Sequence, residues 1–119
     1  MAVSIKEFSK ASKKLGEALA QEKNEFIRDS VIQRFEFCVE LAWKTSRKIM
    51  GTSTSAPKQV IREMAQNGYI DDIEIWLMAI DQRNLSSHTY NEDLAEKVYA
   101  FIVKFYPYVQ KLVLKLESE

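Results

Sequence analysis

The sequence predicts an all-α protein: an antiparallel four-helix bundle with one additional short helix. Two observations carry this expectation. Apolar residues recur at spacings of three and four, and no segment alternates strictly between apolar and polar. Three glycines and two prolines in 119 residues are too few for a chain built of many short strands and turns. A chain of this length forms one domain, expected over residues 1–119, and buries roughly 65% of its unfolded surface.

Each helix carries its own local signals. Ser4 is placed to cap helix 1, with Glu7 as its capping-box partner and Ile5, Phe8, Leu15 and Leu19 as the apolar face. Gln21 to Glu25 reads as a polar linker. Helix 2 is expected over Phe26 to Met50, where Ile32, Phe35, Val39, Ala42, Ser46 and Ile49 recur at spacings of 3, 4, 3, 4, 3, the seam of an antiparallel bundle. Val31, Cys38 and Trp43 widen that stripe. Helix 3 opens at Pro57, favoured in a first turn, and closes at Asn67-Gly68. Helix 4 opens at Asp71-Asp72, whose charges suit a helix N-terminus, and buries Ile73, Trp76, Leu77 and Ile80. Helix 5 starts after Asn91, with Glu92 and Asp93 in its first turn. Leu94, Val98, Phe101, Phe105, Tyr108, Leu112 and Leu116 mark its stripe. Pro107 is expected to kink it near Val103, whose carbonyl loses its amide donor.

Composition excludes several function classes. The 17 basic and 17 acidic residues cancel, which argues against a protein that coats nucleic acid non-specifically but leaves local basic patches open. Cys38 is the only cysteine, so no internal disulfide forms and a cytoplasmic setting is expected. The first residues contain no apolar run of the signal-peptide kind. The apolar stretch Ala100 to Val109 is interrupted by Lys104 and Pro107 and is too short to cross a membrane. One histidine and one cysteine do not make a usual zinc site, so no metal and no cofactor are expected. Glu36 and Glu40 share a helix face but lack the Glu-x-x-His companion of a di-iron site, and read as solvated charges. Cys38, Trp43 and Trp76 read as core. Lys44, Arg47 and Lys48 form a small basic patch on helix 2.

The functional signal lies where the stripe of helix 4 fails. Trp76 plus seven is Arg83; Ile80 plus four is Asn84, and four more is His88. Polar residues stand where Leu or Ile would continue the core. Either the helix has run out of core and ends, with Arg and His suiting its C-terminal dipole, or it delivers polar groups into a cleft. The side chains make a coherent kit. His88 is the only histidine and its type titrates near pH ~6.5, suited to proton transfer. Arg83 binds phosphate oxygens in a bidentate fork, Asn84 orients a ligand or the imidazole, and Tyr90 adds a hydroxyl beside His88. An Arg–His pair suits metal-independent phosphodiester cleavage, with the imidazole moving the proton and the guanidinium offsetting charge on the phosphorane. Arg83 and His88 are five residues apart, about 140° around an ideal helix. Their convergence requires a distorted last turn or, as we expect, a dimer in which two copies of the motif face one cleft.

Arg83-Asn84-x-x-x-His88-x-Tyr90 resembles the signature of HEPN domains, and the tyrosine two residues after the histidine resembles the HepT branch. Arg28 to Phe37, Glu40-Leu41-Ala42-Trp43-Lys44, Ser55-Ala56-Pro57-Lys58 and the Trp76 helix are also similar to that branch, so the resemblance covers nearly the whole chain. It implies a helical bundle that forms a homodimer, and a partner, a minimal nucleotidyltransferase antitoxin subunit. It further implies a toxin with metal-independent RNase activity, in which Arg83 and His88 are catalytic, Asn84 supports them, and Tyr90 is the residue the partner modifies with AMP. The other function implied is a non-catalytic subunit that presents a substrate or nucleotide to the nucleotidyltransferase. This sequence has no Gly-Ser followed by paired aspartates, the signature of the nucleotidyltransferase itself.

Overall fold

A computed structural model of the protein describes residues 4–119; residues 1–3 of the expected domain lie outside the described residues. The chain forms α1 (Lys6–Leu19), α2 (Glu25–Met50), α3 (Pro57–Gln66), α4 (Ile73–Leu85), a short 3-10 turn (Ser86–His88) and α5 (Glu92–Glu117). No strand occurs among the described residues.

Long-range contacts fix the helix directions. Arg28 near the start of α2 reaches Glu92 and Glu96 at the start of α5, so α2 and α5 run the same way. Arg83 and Ser86 at the end of α4 reach Glu40 and Glu36 of α2 in reverse order, so α4 opposes α2. Gly16 of α1 lies against Tyr106 of α5, and Ser9 and Ser12 face Gln110 and Val113, so α1 opposes α5. The result is an up-down-up-down bundle of α1, α2, α4 and α5. The extra helix, α3, is held to α4 by the Lys58–Asp81 ion pair at 2.7 Å.

One apolar core joins all five helices. The helix 2 seam is buried from Ile32 to Ser46, and Val31, Cys38 and Trp43 join it as expected. Phe35 meets Phe105 edge-on, with ring centres 5.9 Å apart, and Trp76 meets the same Phe105 at 4.8 Å. These T-shaped contacts tie α2 and α4 to α5. Cys38 is fully buried in this core, and that burial pushes its thiol up to about 12.

Several local expectations are corrected. Ser4 does not close a capping box: Ile5 occupies the N-cap, and the Ser4 hydroxyl accepts only the Lys6 amide, at 3.3 Å. Helix 2 begins earlier than its hydrophobic pattern, at Glu25, because Asn24 Oδ1 accepts the Ile27 amide at 2.8 Å. The stripe of α5 is centred on Ala95, Val98, Ile102, Phe105, Val109 and Leu112, which leaves Leu94, Phe101 and Tyr108 at its margin. Helix α5 continues through Pro107. Pro107 and Val103 both lie on the solvent side, where water can donate to the carbonyl that proline deprives of its partner.

Candidate functional site

The motif occupies the join between α4 and α5, and its sequence explains why the chain turns there without a glycine. A helix end leaves its last carbonyls without amide donors. Here serine and threonine hydroxyls take their place. Ser86 Oγ donates to the Arg83 carbonyl at 2.6 Å, Ser87 Oγ to that of Asn84 at 3.1 Å, and Thr89 Oγ1 to that of Ser86 at 2.8 Å. These bonds draw Ser86–His88 into a 3-10 turn. The Asn91 amide then donates to the His88 carbonyl at 3.1 Å, and Asn91 Oδ1 accepts the Leu94 amide at 3.1 Å to open α5. Two residues separate the end of one ordered element from the cap of the next.

Helix α2 braces this turn with two carboxylates that the sequence reading took for solvated charges. Glu36 and Glu40, one turn apart, are both half-buried. The buried Ser86 hydroxyl lies 2.7 Å from Glu36 Oε2 as well as within reach of the Arg83 carbonyl, so one proton is shared between two acceptors. Glu40 Oε1 lies 2.9 Å from Arg83 Nε and its other oxygen 3.2 Å from Lys44 Nζ. The Arg83 Nε–H is buried and not aimed at the carboxylate, so the contact is an ion pair rather than a hydrogen bond. Their structural role was invisible in the sequence because both partners lie more than 40 positions away; the i,i+4 spacing of the glutamates was the only local signal.

A second network fixes the start of α5. Arg28 is 3% exposed and contacts Glu92 at 2.7 Å, Asp29 at 3.0 Å and Glu96 at 3.3 Å. Its hydrogen bond to Glu92 holds the guanidinium charged more firmly than usual, against the opposing effect of burial. Glu96 also binds Lys23.

The four predicted site residues are thus brought to one short segment with different exposures. Arg83 is half-buried and turned toward α2, and Asn84 is exposed. His88 and Tyr90 both stand in solvent, with ring centres 6.0 Å apart and planes at 80°. Tyr90, 84% exposed, is the most accessible of the large apolar and aromatic side chains among the described residues. Among the described residues, no group of three histidine, cysteine or acidic side chains lies close enough to hold a metal ion, and no helix is long and apolar enough to cross a membrane. The groups on offer are therefore an accessible imidazole, an accessible phenol, a braced guanidinium and a carboxamide. They can move protons and bind anionic oxygen.

This fold and motif define a class. The model of the family described as nucleotidyltransferase substrate binding protein like matches residues 3–118. The chain belongs to this family, within its HepT-like HEPN group. Among individual relatives, it is 35% identical over 82 residues to a Haemophilus influenzae protein named probable ribonuclease HepT, a match covering 62% of this chain and 56% of that protein. The chain thus spans little more than half the length of the curated relative it matches. A crystal structure of a protein from Thermus thermophilus superposes with a TM-score of 0.83 at 30% identity, covering 92% of this chain and 98% of the other. A second structure, from H. influenzae and described as revealing the fold of a substrate binding domain of a nucleotidyltransferase, superposes with a TM-score of 0.85 at 25% identity, covering 96% of this chain and 99% of the other.

Proposed function

We propose that this protein, a single domain over residues 1–119, is the toxin of a HEPN and minimal-nucleotidyltransferase toxin–antitoxin pair, cleaving RNA in the cytoplasm without a metal. The observation that carries this reading is the exposed His88 and Tyr90 pair, held one turn beyond a braced Arg83. In the reaction, a ribose 2′-oxygen attacks the adjacent phosphorus and the bond to the 5′-oxygen breaks. The 2′-hydroxyl proton leaves to a base, and the departing 5′-oxygen takes a proton from an acid. His88 carries one of these transfers, Arg83 offsets the charge of the phosphorane, and Asn84 orients the imidazole or the phosphate. One chain holds one histidine, whereas the reaction moves two protons. A homodimer placing two motifs in one cleft supplies the second imidazole. Tyr90, with its phenol free in solvent, is the residue on which the partner nucleotidyltransferase places AMP.

A second reading has its own support: the family description, and a single chain in which Glu40 already engages Arg83. In it the chain is a non-catalytic subunit presenting substrate or nucleotide to the nucleotidyltransferase. Inducing the chain alone, beside His88→Ala and Tyr90→Phe variants of equal soluble yield, separates the two. Growth arrest that His88→Ala abolishes and Tyr90→Phe retains is the expected result. Normal growth with all three versions rejects the toxin reading in favour of the binding subunit.

A further inference from the structure

Around α2 from the motif, α1 and α2 enclose a groove of about 400 Å³. Lys10 and Lys14 line it from α1, and Arg34, Phe37 and Leu41 from α2. Among the described residues, Lys10, Lys14 and Arg34 form no ion pair. Glu7 is the one carboxylate against these three cations. Phe37 is 46% exposed, leaving a large aromatic ring in water beside them. The comparably large groove between α4 and α5 differs: Asp72 and Glu74 balance Lys97 and Lys104 there, so it selects no sign of charge.

Three unpartnered cations around an exposed aromatic ring suit a ligand that is anionic at spaced points and flat and apolar between them. Phosphates joined by nucleobases have that character, and base stacking on an aromatic ring is tolerant of sequence. The groove also sits at the right level. Phe37 follows Glu36 by one residue, about 100° around α2, so the groove and the carboxylates bracing the motif flank the same stretch of helix. A strand crossing one helix, about 10 Å wide, passes from one to the other. We propose that the α1/α2 groove bearing Lys10, Lys14, Arg34 and Phe37 is a binding track for single-stranded RNA, feeding the segment that carries His88. The inference rests on the RNA-cleaving reading for the identity of its ligand.

The test uses the full chain and a fluorescent 2′-O-methyl oligouridylate of about 12 nucleotides, which has no 2′-hydroxyl to attack and measures binding alone. The paired variant Lys10→Gln/Lys14→Gln binds about tenfold more weakly at low salt, with a slope of log affinity on log salt shallower by about 1.4, as expected for two lost phosphate contacts. Phe37→Ala binds about fivefold more weakly, the lower end for one stacked base. All three side chains lie at the surface, and unchanged circular dichroism excludes misfolding. Affinity and salt slope unchanged in both variants overturn the track. Mononucleotides competing as well as the oligomer overturn it too, by making the ligand a free nucleotide. Cleavage of unmodified RNA by wild type, with binding indifferent to the groove, leaves the nuclease reading standing and removes this one. Groove-dependent binding without His88-dependent cleavage does the reverse.

Discussion

At the scale of single residues, Arg28 and Glu96 show how charge holds the motif's foundation. Arg28 is the one buried charged side chain among the described residues, and it binds carboxylates that remain in water. Removing one partner of a pair buried on both sides costs about 3–5 kcal/mol. Glu92 and Glu96 are 64% and 48% exposed, so Arg28→Met should cost less, about 1–3 kcal/mol, read as a lower urea midpoint. The hydrogen bond from Lys23, with a further one from Arg28, holds the Glu96 carboxyl below its ordinary range. A lowered carboxyl stabilises the fold fully above its unfolded pKa, and that contribution fades as pH falls through the folded one. Thermal melts of Glu96→Gln should therefore decline less steeply than wild type below about pH 4.5. Equal slopes would mean that the bonds to Glu96 contribute nothing to stability.

At the scale of elements, legibility followed the range of the signal. Asp72 and Asn91 accept amides three residues on, and Pro57 fixes the backbone angle of its own first turn, so the starts of α3, α4 and α5 were readable from the chain. The seam of α2 was readable because its period reports burial directly. Asn24 was missed because it sits among polar residues with no pattern to set it apart. Arg83, Asn84 and His88 stood out because they interrupt an apolar stripe, and Tyr90 because it sets a hydroxyl two residues from His88. Glu36 and Glu40 did not, because their partners come from a different helix. Ser86 sits where these two kinds of information meet: it terminates α4 and it touches Glu36. Ser86→Ala should lower stability by about 1 kcal/mol, since a buried hydroxyl bond is lost and a half-buried carboxylate loses a partner. It should also broaden or shift the His88 ring signals in NMR spectra. Unshifted signals at reduced stability would show that the imidazole's position does not depend on this brace.

At the scale of the whole molecule, the bundle holds two motif residues on different footings. Arg83 belongs to α4 and leans on α2, while His88 projects from the turn into solvent. If two copies share a cleft, one composite site holds the imidazoles and guanidiniums of both chains. Wild type unfolded and refolded with an excess of His88→Ala should then lose RNA cleavage more steeply than its own dilution, because each mixed dimer holds a single imidazole. Loss in simple proportion to the wild-type fraction would place a complete site on one chain. The short join between α4 and α5 has a consequence for how this family can vary. The hydroxyl and side-chain caps from Ser86 to Asn91 each reach a neighbour three residues away. One extra residue placed between His88 and Asn91 would leave each helix its cap and the core its packing, while swinging the phenol away from the imidazole. Such a protein would keep its helices and its core while the two rings no longer faced each other, so the length of this turn fixes the geometry of His88 and Tyr90 as firmly as their presence does.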